Sequence, residues 1–443
     1  MSNRSHWSGR FAFILAAAGS AIGLGNMWKF PYITGLNGGG AFVIVYLITI
    51  LAIGFPILLA ELYVGQKGQA NAVDSIDIVA GEKTPFRIVG FMGMLCSFLI
   101  LSYYSVVGGW VLSFEYKALT GVLSNATPDQ IGGYLGELFG SPDALIFWHT
   151  IFMVMVIGIV VGGISKGIEK WAKILMPTLF VILMCLFVMS MFQEGFGKAL
   201  EFLFVPDFSK LKWESILEAV GHSFFTLSLG MGAMITYGSY LSEKEDLTKT
   251  GIAVVVLDTA IALISGVVMF SVVFSFEGTE PSAGPGLMFA TMPSLLSQMP
   301  GAYFLLVSFF ILVAFAALTS AIALLEVPVS YIEERTQMSR RKVAIIVGAI
   351  IWAVGIPSAL SFNVMKDSVN VFDLFDKATA SVLMPLGGIF LSLFFGFKVK
   401  EEDISKALGF HGLALKGFIF ACRFVAPIGV GVVLYMGISD WIG

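Results

Sequence analysis

Two short runs that mix glycines with polar residues are the main candidates for ligand binding in this sequence. One run covers 19–26 (GSAIGLGN) and the other covers 225–232 (FTLSLGMG). Each glycine weakens a helix by about 1 kcal/mol relative to alanine, so these clusters favour local breaks in helical segments. A helix broken inside a membrane frees backbone carbonyls and amides, which must find other partners. The two runs therefore predict a pair of broken helices with backbone groups available for ligands.

A zwitterion offers a partner to both kinds of free backbone group. Its carboxylate is expected at the start of the half-helix near Leu24 and Gly25, where backbone amides lack partners within the helix. Its ammonium is expected near the carbonyls of Phe225, Thr226 and Ser228. The sequence thus predicts a small zwitterionic ligand held between the two breaks.

Further oxygen-bearing groups lie at a similar depth in other apolar segments. The hydroxyl of Tyr104 can donate to a carboxylate, and Asp258 is a candidate ion ligand or a structural hydrogen-bond acceptor. Ala316 and Thr319 are three residues apart, so a carbonyl and a hydroxyl share one helix face, next to Ser320. Hard oxygen ligands of this kind suit Na⁺, whereas zinc and copper prefer nitrogen or sulfur.

Ionisable residues inside apolar segments are costly to bury and indicate function by default. We interpret Glu61 as a supporting acceptor for the broken backbone; the alternative is a carboxylate near the membrane interface. Glu326 allows the same interpretation. His222, at the outer start of the second break, is expected to be a vestibule residue. Phe225 is either a lid over the site or an ordinary packing residue.

The composition identifies lipid as the solvent of this chain. Of its 443 residues, 57% are hydrophobic and 13% are charged, and the mean hydropathy is +0.89. Soluble domains carry roughly 25% charged residues. The net charge is −4 and the sequence contains no basic stripe, so a nucleic-acid partner is not expected. The first apolar segment has no small-residue cleavage site and is expected to be retained rather than removed as a signal peptide.

The three cysteines do not suggest metal binding or redox chemistry. Cys96, Cys185 and Cys422 all lie in apolar runs, and none forms a C-x-x-C pair. They are interpreted as small apolar packing residues.

Eleven apolar segments are long enough to cross a bilayer, which takes roughly 20 residues. They lie near 11–34, 41–66, 87–118, 145–163, 168–192, 213–240, 251–276, 300–334, 341–358, 370–396 and 416–438. We expect one all-α transmembrane domain over 1–443, with one repeat at about 8–192, a second at about 213–396 and an extra helix at about 416–438. The breaks fall in the first and sixth segments, which are matching positions of the two halves. Paired glycine-interrupted segments are typical of inverted-repeat transporters; tight helix packing through small residues is the alternative.

The distribution of lysine and arginine predicts the orientation. With the N-terminus inside, eighteen of the 26 Lys and Arg residues are cytoplasmic, five are external and three lie within spans. Positive residues concentrate on the cytoplasmic side of membrane proteins. We therefore expect a multi-pass protein of the inner (plasma) membrane with a cytoplasmic N-terminus and an extracytoplasmic C-terminus.

Five sequence runs closely resemble the neurotransmitter:sodium symporter family. They are 18–31 (AGSAIGLGNMWKFP), 37–42 (NGGGAF), 167–171 (GIEKW), 223–230 (SFFTLSLG) and 318–320 (LTS). The resemblance extends from about residue 7 to the eleventh segment. It implies the LeuT-type fold of two inverted five-helix repeats, with helices 1 and 6 broken at mid-membrane. It also implies sodium-coupled uptake by alternating access.

The resemblance assigns roles to residues at matching positions. The substrate-binding residues would be Ser20, Ala21, Leu24, Gly25, Ile100, Tyr104, Phe225, Thr226, Ser228, Met231, Ser320 and Leu324. The first of two sodium sites would use Ala21, Asn26, Thr226 and Asp258 together with the substrate carboxylate. The second would use Gly19, Ile22, Ala316, Thr319 and Ser320. An outer gate would pair Lys29 with Asp376, and an inner gate would use Arg4, Trp7, Tyr240 and Glu334.

Several positions depart from the family pattern. Lys29 stands where many members have Arg, so bidentate pairing is lost. In the leucine-transporting member, Asn occupies the positions of Ser20 and Asp258, and Phe occupies that of Met231. His222 stands where many members have Gln. These differences concern the gate, the substrate pocket and the first sodium site.

The departures lead to two functional expectations. The apolar pocket predicts a hydrophobic L-amino acid, with aromatic side chains included because Met231 can retreat where Phe cannot. Asp258 could supply the negative charge that chloride supplies in chloride-dependent members, so transport is expected to need no chloride. The competing classes are a channel, which needs a continuous polar path, and a membrane-embedded enzyme, which needs a nucleophile–base set. The oligomeric state stays open.

Overall fold

The computed structural model describes residues 6–276, 284 and 286–442, which form helices and no strand. The helices of the first half are α1 (Arg10–Ala21), α2 (Gly25–Leu36), α3 (Gly40–Gly68), α4 (Ala72–Ala80), α5 (Arg87–Leu119), α6 (Pro128–Phe139), α7 (Pro142–Val161), α8 (Ile164–Ser190) and α9 (Phe196–Phe204). Those of the second half are α10 (Trp213–Thr226), α11 (Ala233–Gly238), α12 (Leu247–Val273), α13 (Leu287–Leu296), α14 (Ala302–Arg335), α15 (Arg340–Leu360), α16 (Val371–Lys398), α17 (Glu401–Leu408) and α18 (Gly412–Ser439).

The long apolar helices match ten of the eleven predicted spans. Within the described part of the chain, nine continuous helices are long and apolar enough to cross a membrane. The pair α1 and α2, bent by 50° at its break, supplies a tenth. The predicted sixth span is divided into α10 and α11, and neither half is long enough to cross alone. The protein is therefore a multi-pass membrane protein in which both predicted breaks are present.

Three helices begin earlier than the apolar runs 145–163, 168–192 and 251–276 suggest. Polar capping residues explain two of these starts. The side chain of Ser141 accepts the amide of Ala144 at 3.4 Å at the start of α7, and Asp246 accepts the amide of Lys249 at 3.0 Å at the start of α12. Gly163, with φ of 73°, makes the turn that separates α7 from α8. Capping residues are polar, so a hydropathy criterion leaves them outside the span.

The packing of the helices brings both breaks to the centre of the bundle. The long helices α5 and α14 pack against each other more extensively than any other pair of described helices. Helix α1 lies against α8, α12 and α14, and α11 lies against α3 and α14. Both breaks thus face the α5–α14 pair. We call the face of the bundle at which α1 begins the inner face and the opposite one the outer face, following the predicted orientation.

The break between α10 and α11 depends on backbone conformations that favour glycine. Gly230 and Gly232 have φ of 75° and 74°, and Ser228 between the helices has φ of 55°. A Cβ added to Gly230 would lie 2.3 Å from the carbonyl oxygen of Met384. Residues 227–232 therefore form a non-helical segment that a side chain at position 230 would disrupt.

The break between α1 and α2 is shorter and is capped by a side chain. The amide of Ile22 makes the last α1 bond, to the carbonyl of Ala18 at 2.6 Å. The amide of Gly23 then donates to Asn26 Oδ1 at 3.2 Å. A π-helical turn, Gly25–Lys29, opens the next helix. At the start of α2, the amides of Asn26 and Met27 both donate to the carbonyl of Gly23, at 3.2 Å and 3.3 Å.

Candidate functional site

A small cavity of about 30 Å³ lies between the two breaks. Its lining comes from α1, α2, α5, α10, the non-helical segment and α14, and consists of Ser20, Ala21, Gly23, Leu24, Gly25, Ile100, Tyr104, Phe225, Ser228, Met231, Ser320 and Leu324. Of the twelve residues predicted to bind substrate, eleven line this cavity and Thr226 does not. Gly23 is the added member. Their roles in binding stay predictions.

One end of the cavity offers a single buried hydroxyl as a hydrogen-bond donor without a partner. The hydroxyl of Tyr104 is buried and has no hydrogen-bond partner among the described residues. A Cβ added to Gly23 would lie 3.3 Å from that hydroxyl, so Tyr104 reaches the backbone at the start of α2. An unsatisfied buried hydroxyl costs about 1–3 kcal/mol. This end therefore suits the carboxylate of a ligand.

The carbonyl of Ser20 joins three of the elements that line the cavity. It accepts the hydroxyl of Ser228 at 2.9 Å and the hydroxyl of Ser320 at 3.0 Å. The hydroxyl of Ser20 itself donates to Ser228 Oγ at 3.3 Å. The end of α1, the non-helical segment and α14 are thus linked at a single backbone oxygen.

The residues predicted for the first sodium site form one buried cluster. Asn26 Nδ2 donates to Asp258 Oδ1 at 2.8 Å and to the Asp258 carbonyl at 3.0 Å. Thr226 Oγ1 lies 2.9 Å and 3.1 Å from the two carboxylate oxygens of Asp258. All three side chains are fully buried, and Ala21 lines the adjacent cavity. Thr226 contacts Asp258 and does not line the cavity, unlike the other residues predicted to bind substrate.

The residues predicted for the second site lie where α1 approaches α14. Thr319 Oγ1 bonds to the carbonyl of Ala316 at 3.1 Å. A Cβ added to Gly19 would lie 3.3 Å from the Cβ of Thr319. Ile22 follows α1 with φ of −77° and ψ of 89°, which turns its carbonyl away from the helix axis. Ser320 borders this cluster and the cavity. The oxygens available here are the hydroxyl and carbonyl types that suit Na⁺.

Glu61 contacts the broken backbone directly. Its Oε1 accepts the amide of Gly230 at 2.7 Å, and the side chain is fully buried in α3. The amide belongs to the segment that has lost helical partners. A carboxylate at this place compensates a backbone group that lipid and apolar side chains cannot.

The predicted outer gate is not closed by an ion pair. Lys29 and Asp376 line one outer cavity of about 100 Å³, but the ammonium of Lys29 lies over the ring of Phe225, 4.9 Å from its centroid. Asp376 Oδ1 instead accepts the hydroxyl of Tyr103 at 3.0 Å. Lys29 and Asp376 thus lie on one cavity with other partners in this structure, and their pairing as an outer gate stays a prediction. Each of the two charged groups contacts an aromatic side chain, and Phe225 lines the outer cavity.

His222 lines a second outer cavity of about 480 Å³, together with Lys29 and Phe225, as expected for a vestibule residue. It is 1% exposed and packs between Phe30 and Tyr46, with ring centroids 5.9 Å and 5.3 Å away. Both ring nitrogens lack a hydrogen-bond partner among the described residues.

The predicted inner-gate residues within the described part of the chain lie at the inner face. The Trp7 indole donates to the carbonyl of Tyr237 at 3.0 Å, and its amide donates to the carbonyl of Tyr240 at 3.1 Å. Glu334 accepts the side-chain amide of Asn71 at 2.8 Å. Arg4 lies outside the described residues. Trp7 is thus hydrogen-bonded to α11 and to Tyr240 just beyond it, at the inner face of the bundle.

The sequence analysis missed the charged partners around this gate. Glu326 accepts the hydroxyl of Tyr240 at 2.7 Å and forms an ion pair with Arg340. Ser8 donates to Glu169, which also pairs with Lys173 at 2.6 Å. The burial of Glu326 inside an apolar run was a signal for a cationic partner. No sequence signal pointed to Arg340 as that partner.

Comparisons with known proteins agree with this arrangement. The family model described as "Sodium:neurotransmitter symporter family" matches residues 4–130 and 140–441. The uncharacterized sodium-dependent transporter YhdH of Bacillus subtilis is 35% identical over 96% of this chain and 96% of its own length. An uncharacterized sodium-dependent transporter of Haemophilus influenzae is 34% identical over 99% of this chain and 98% of its own length.

A solved structure extends the agreement to the fold. The crystal structure of MhsT in complex with L-phenylalanine matches with a TM-score of 0.90 and 43% identity, covering 98% of this chain and 100% of that chain. The predicted LeuT-type fold and the predicted family resemblance are both confirmed. The match along nearly the whole length, together with the two broken helices, shows that the chain belongs to the sodium:neurotransmitter symporter family and is a sodium-coupled transporter.

Proposed function

We propose that the protein is a sodium-coupled symporter that imports a hydrophobic L-amino acid, aromatic ones included, by alternating access. The observation that carries this proposal is the cavity between the breaks, which combines polar groups at its backbone end with an apolar remainder. The complex of the similar protein MhsT with L-phenylalanine supports an amino acid as the ligand class.

The side-chain end of the cavity supports a hydrophobic substrate. Ile100, Phe225, Met231 and Leu324 face it, and no residue that lines the cavity carries a charge. An acidic or basic substrate side chain would be buried without a partner there, at a prohibitive cost. L-Leucine, L-tyrosine and L-tryptophan should therefore bind, whereas L-glutamate and L-lysine should not. Binding of the charged pair alone would show that the pocket is misread.

Two sodium ions would be co-transported, one at each oxygen cluster. The first cluster lies beside the cavity, so a substrate carboxylate could complete the ligand set around Asn26, Thr226 and Asp258. Substrate and ion would then stabilise each other, which is the physical basis of coupling. The second ion would bind between Gly19 and Thr319 and hold α1 against α14.

Transport should need no chloride. Asp258 is a buried carboxylate inside the first cluster, so it could offset the charge of the cations from within, because uncompensated buried charge is costly. Ala262, one helical turn further along α12, has no hydroxyl to bind an anion. In the alternative, Asp258 is protonated and serves as an Asn-like ligand. Uptake with chloride replaced by gluconate distinguishes them: an indifferent wild type with an impaired or chloride-sensitive Asp258→Asn variant supports the proposal. A wild type that loses most activity in gluconate refutes it.

Orientation and organisation complete the proposal. The excess of Lys and Arg on one side supports a plasma-membrane protein with its N-terminus in the cytoplasm. The positions of the breaks in α1–α2 and α10–α11 support two repeats, at about 8–192 and 213–396, followed by α18. The inner face defined above would then be the cytoplasmic one.

The central test is uptake of radiolabelled L-leucine and L-tryptophan into liposomes that contain the purified protein. Saturable uptake in an inward sodium gradient, and none in choline, is expected. Thr319→Ala should raise the sodium concentration needed for half-maximal uptake, because it removes one of the predicted ligands. Thr178→Ala is a matched control, since that exposed hydroxyl bonds only to Ile174 of its own helix, at 2.8 Å. Equal uptake in choline and sodium would refute sodium coupling.

A further inference from the structure

A serine outside the cavity holds the backbone of a residue that lines it. Ser97 lies on α5, is fully buried, and donates from Oγ to the carbonyl oxygen of Met231 at 2.6 Å. Met231 is the cavity residue at the far end of the non-helical segment. Ser97 itself does not line the cavity, so any effect on substrate must pass through Met231.

The backbone around Met231 can move because it is flanked by glycines. Gly230 and Gly232 both have positive φ, and neither has a side chain to restrict rotation of the adjoining peptides. Two buried side chains, one on α3 and one on α5, hold this stretch. Glu61 accepts the amide of Gly230 at 2.7 Å, and Ser97 donates to the next carbonyl. The position of the Met231 side chain therefore depends on these two contacts.

The size of the cavity makes that position important. The free space of about 30 Å³ leaves little room for the side chain of a large amino acid. Withdrawal of Met231 would make room for a larger side chain, and its flanking glycines let the backbone move with it. On the α5 side, Gly93 approaches so closely that a Cβ there would lie 2.9 Å from the amide of Gly232. Withdrawal of Met231 together with its backbone would stretch or break the bond to Ser97.

We propose that Ser97 is a positioning residue that sets the size preference of the transporter by holding Met231 in its advanced position. Small apolar substrates bind with the Ser97–Met231 hydrogen bond intact. Large aromatic substrates bind with that bond weakened, and their affinity is lower by its contribution. The inference rests on the proposed function, because it concerns discrimination among hydrophobic amino acids at the same site.

The test compares dissociation constants of L-leucine and L-tryptophan for purified protein in sodium buffer. Ser97→Ala should lower the ratio Kd(Trp)/Kd(Leu) about fivefold, the change expected for one buried hydrogen bond. Ser102→Ala is the matched control, because Ser102 is also buried on α5 and its hydroxyl bonds at 2.7 Å to Leu99 of the same helix. That variant should keep the wild-type ratio. A ratio of two affinities cancels any general loss of folded protein.

A second substitution keeps the test decisive if Ser97→Ala does not fold. Ser97→Cys has a similar size and a weaker donor, so it should shift the ratio in the same direction by a smaller factor. The inference is overturned if the ratio stays within twofold of wild type, if it rises, or if Ser102→Ala shifts it equally. If wild-type protein binds neither amino acid, the proposed substrate class itself fails, which is a distinct result from an unchanged ratio.

Discussion

The buried carboxylate of Glu61 gives the sharpest prediction about how the broken helix is maintained. Its hydrogen bond with the amide of Gly230 measures 2.7 Å and lies entirely within the protein. Leaving a buried hydrogen-bonding group without its partner costs about 1–3 kcal/mol. Glu61→Ala removes this bond and leaves a buried amide without its partner, so the geometry of residues 227–232 becomes less favourable by about that amount.

The loss should appear in substrate binding as well as in stability. Ser228 and Met231, which line the cavity, belong to the same segment. When the binding-competent geometry is only partly populated, the apparent dissociation constant rises by the inverse of that fraction. Since 1.4 kcal/mol corresponds to tenfold, Glu61→Ala should weaken binding of L-leucine about ten- to a hundredfold. Glu61→Gln keeps a neutral acceptor and should have a much smaller effect.

The assay is equilibrium binding of radiolabelled L-leucine to detergent-purified protein, with Tm measured in parallel. Glu115→Ala is the control, because Glu115 is a nearly buried carboxylate on α5 that does not line the central cavity. It is expected to change Tm without changing affinity. If Glu61→Ala binds L-leucine within twofold of wild type while remaining folded, the reasoning about the segment is refuted.

Three further substitutions test other parts of the structure. Thr226→Val removes the hydroxyl that lies 2.9 Å from Asp258 Oδ1 and should raise the sodium concentration for half-maximal uptake at least tenfold; an unchanged sodium dependence would contradict this. Arg340→Met leaves the buried Glu326 without its cation and should cost about 3–5 kcal/mol of stability, seen as a lower Tm that adding Glu326→Gln largely restores. Gly230→Ala places a Cβ 2.3 Å from a backbone oxygen and should abolish L-leucine binding; wild-type binding would show that the break tolerates a side chain.

The sequence predicted the spans and the breaks because both depend on local composition. An apolar run of membrane-spanning length has few alternatives to a transmembrane helix. The clustered glycines at 230 and 232 indicated a break in the sequence. In the structure both have a positive φ, a conformation that most other residues avoid. Helix starts were less predictable, since capping residues such as Asp246 are polar and fall outside an apolar window.

Contacts between distant segments were beyond the reach of local patterns. Ser97 and Ser105 both lie in apolar surroundings on α5, and the sequence does not distinguish them. The hydroxyl of Ser105 bonds within its own helix, to Leu101 at 2.7 Å, whereas that of Ser97 crosses to Met231. The partners of Lys29 and Asp376 were equally hidden, because aromatic rings from other helices intervene only after folding.

The arrangement around Ser20 suggests how the two oxygen clusters and the cavity act together. Ser20 follows Gly19 of the second cluster, and its carbonyl accepts the hydroxyls of Ser228 and Ser320. Ser320 in turn follows Thr319 on α14. A displacement of α1 away from α14 would therefore separate the second cluster and break the cavity wall in one movement. At the inner face, Trp7 holds the start of the chain against α11 through the carbonyl of Tyr237 at 3.0 Å. Under the function proposed above, release of that contact would accompany such a displacement, and sodium and substrate would leave together.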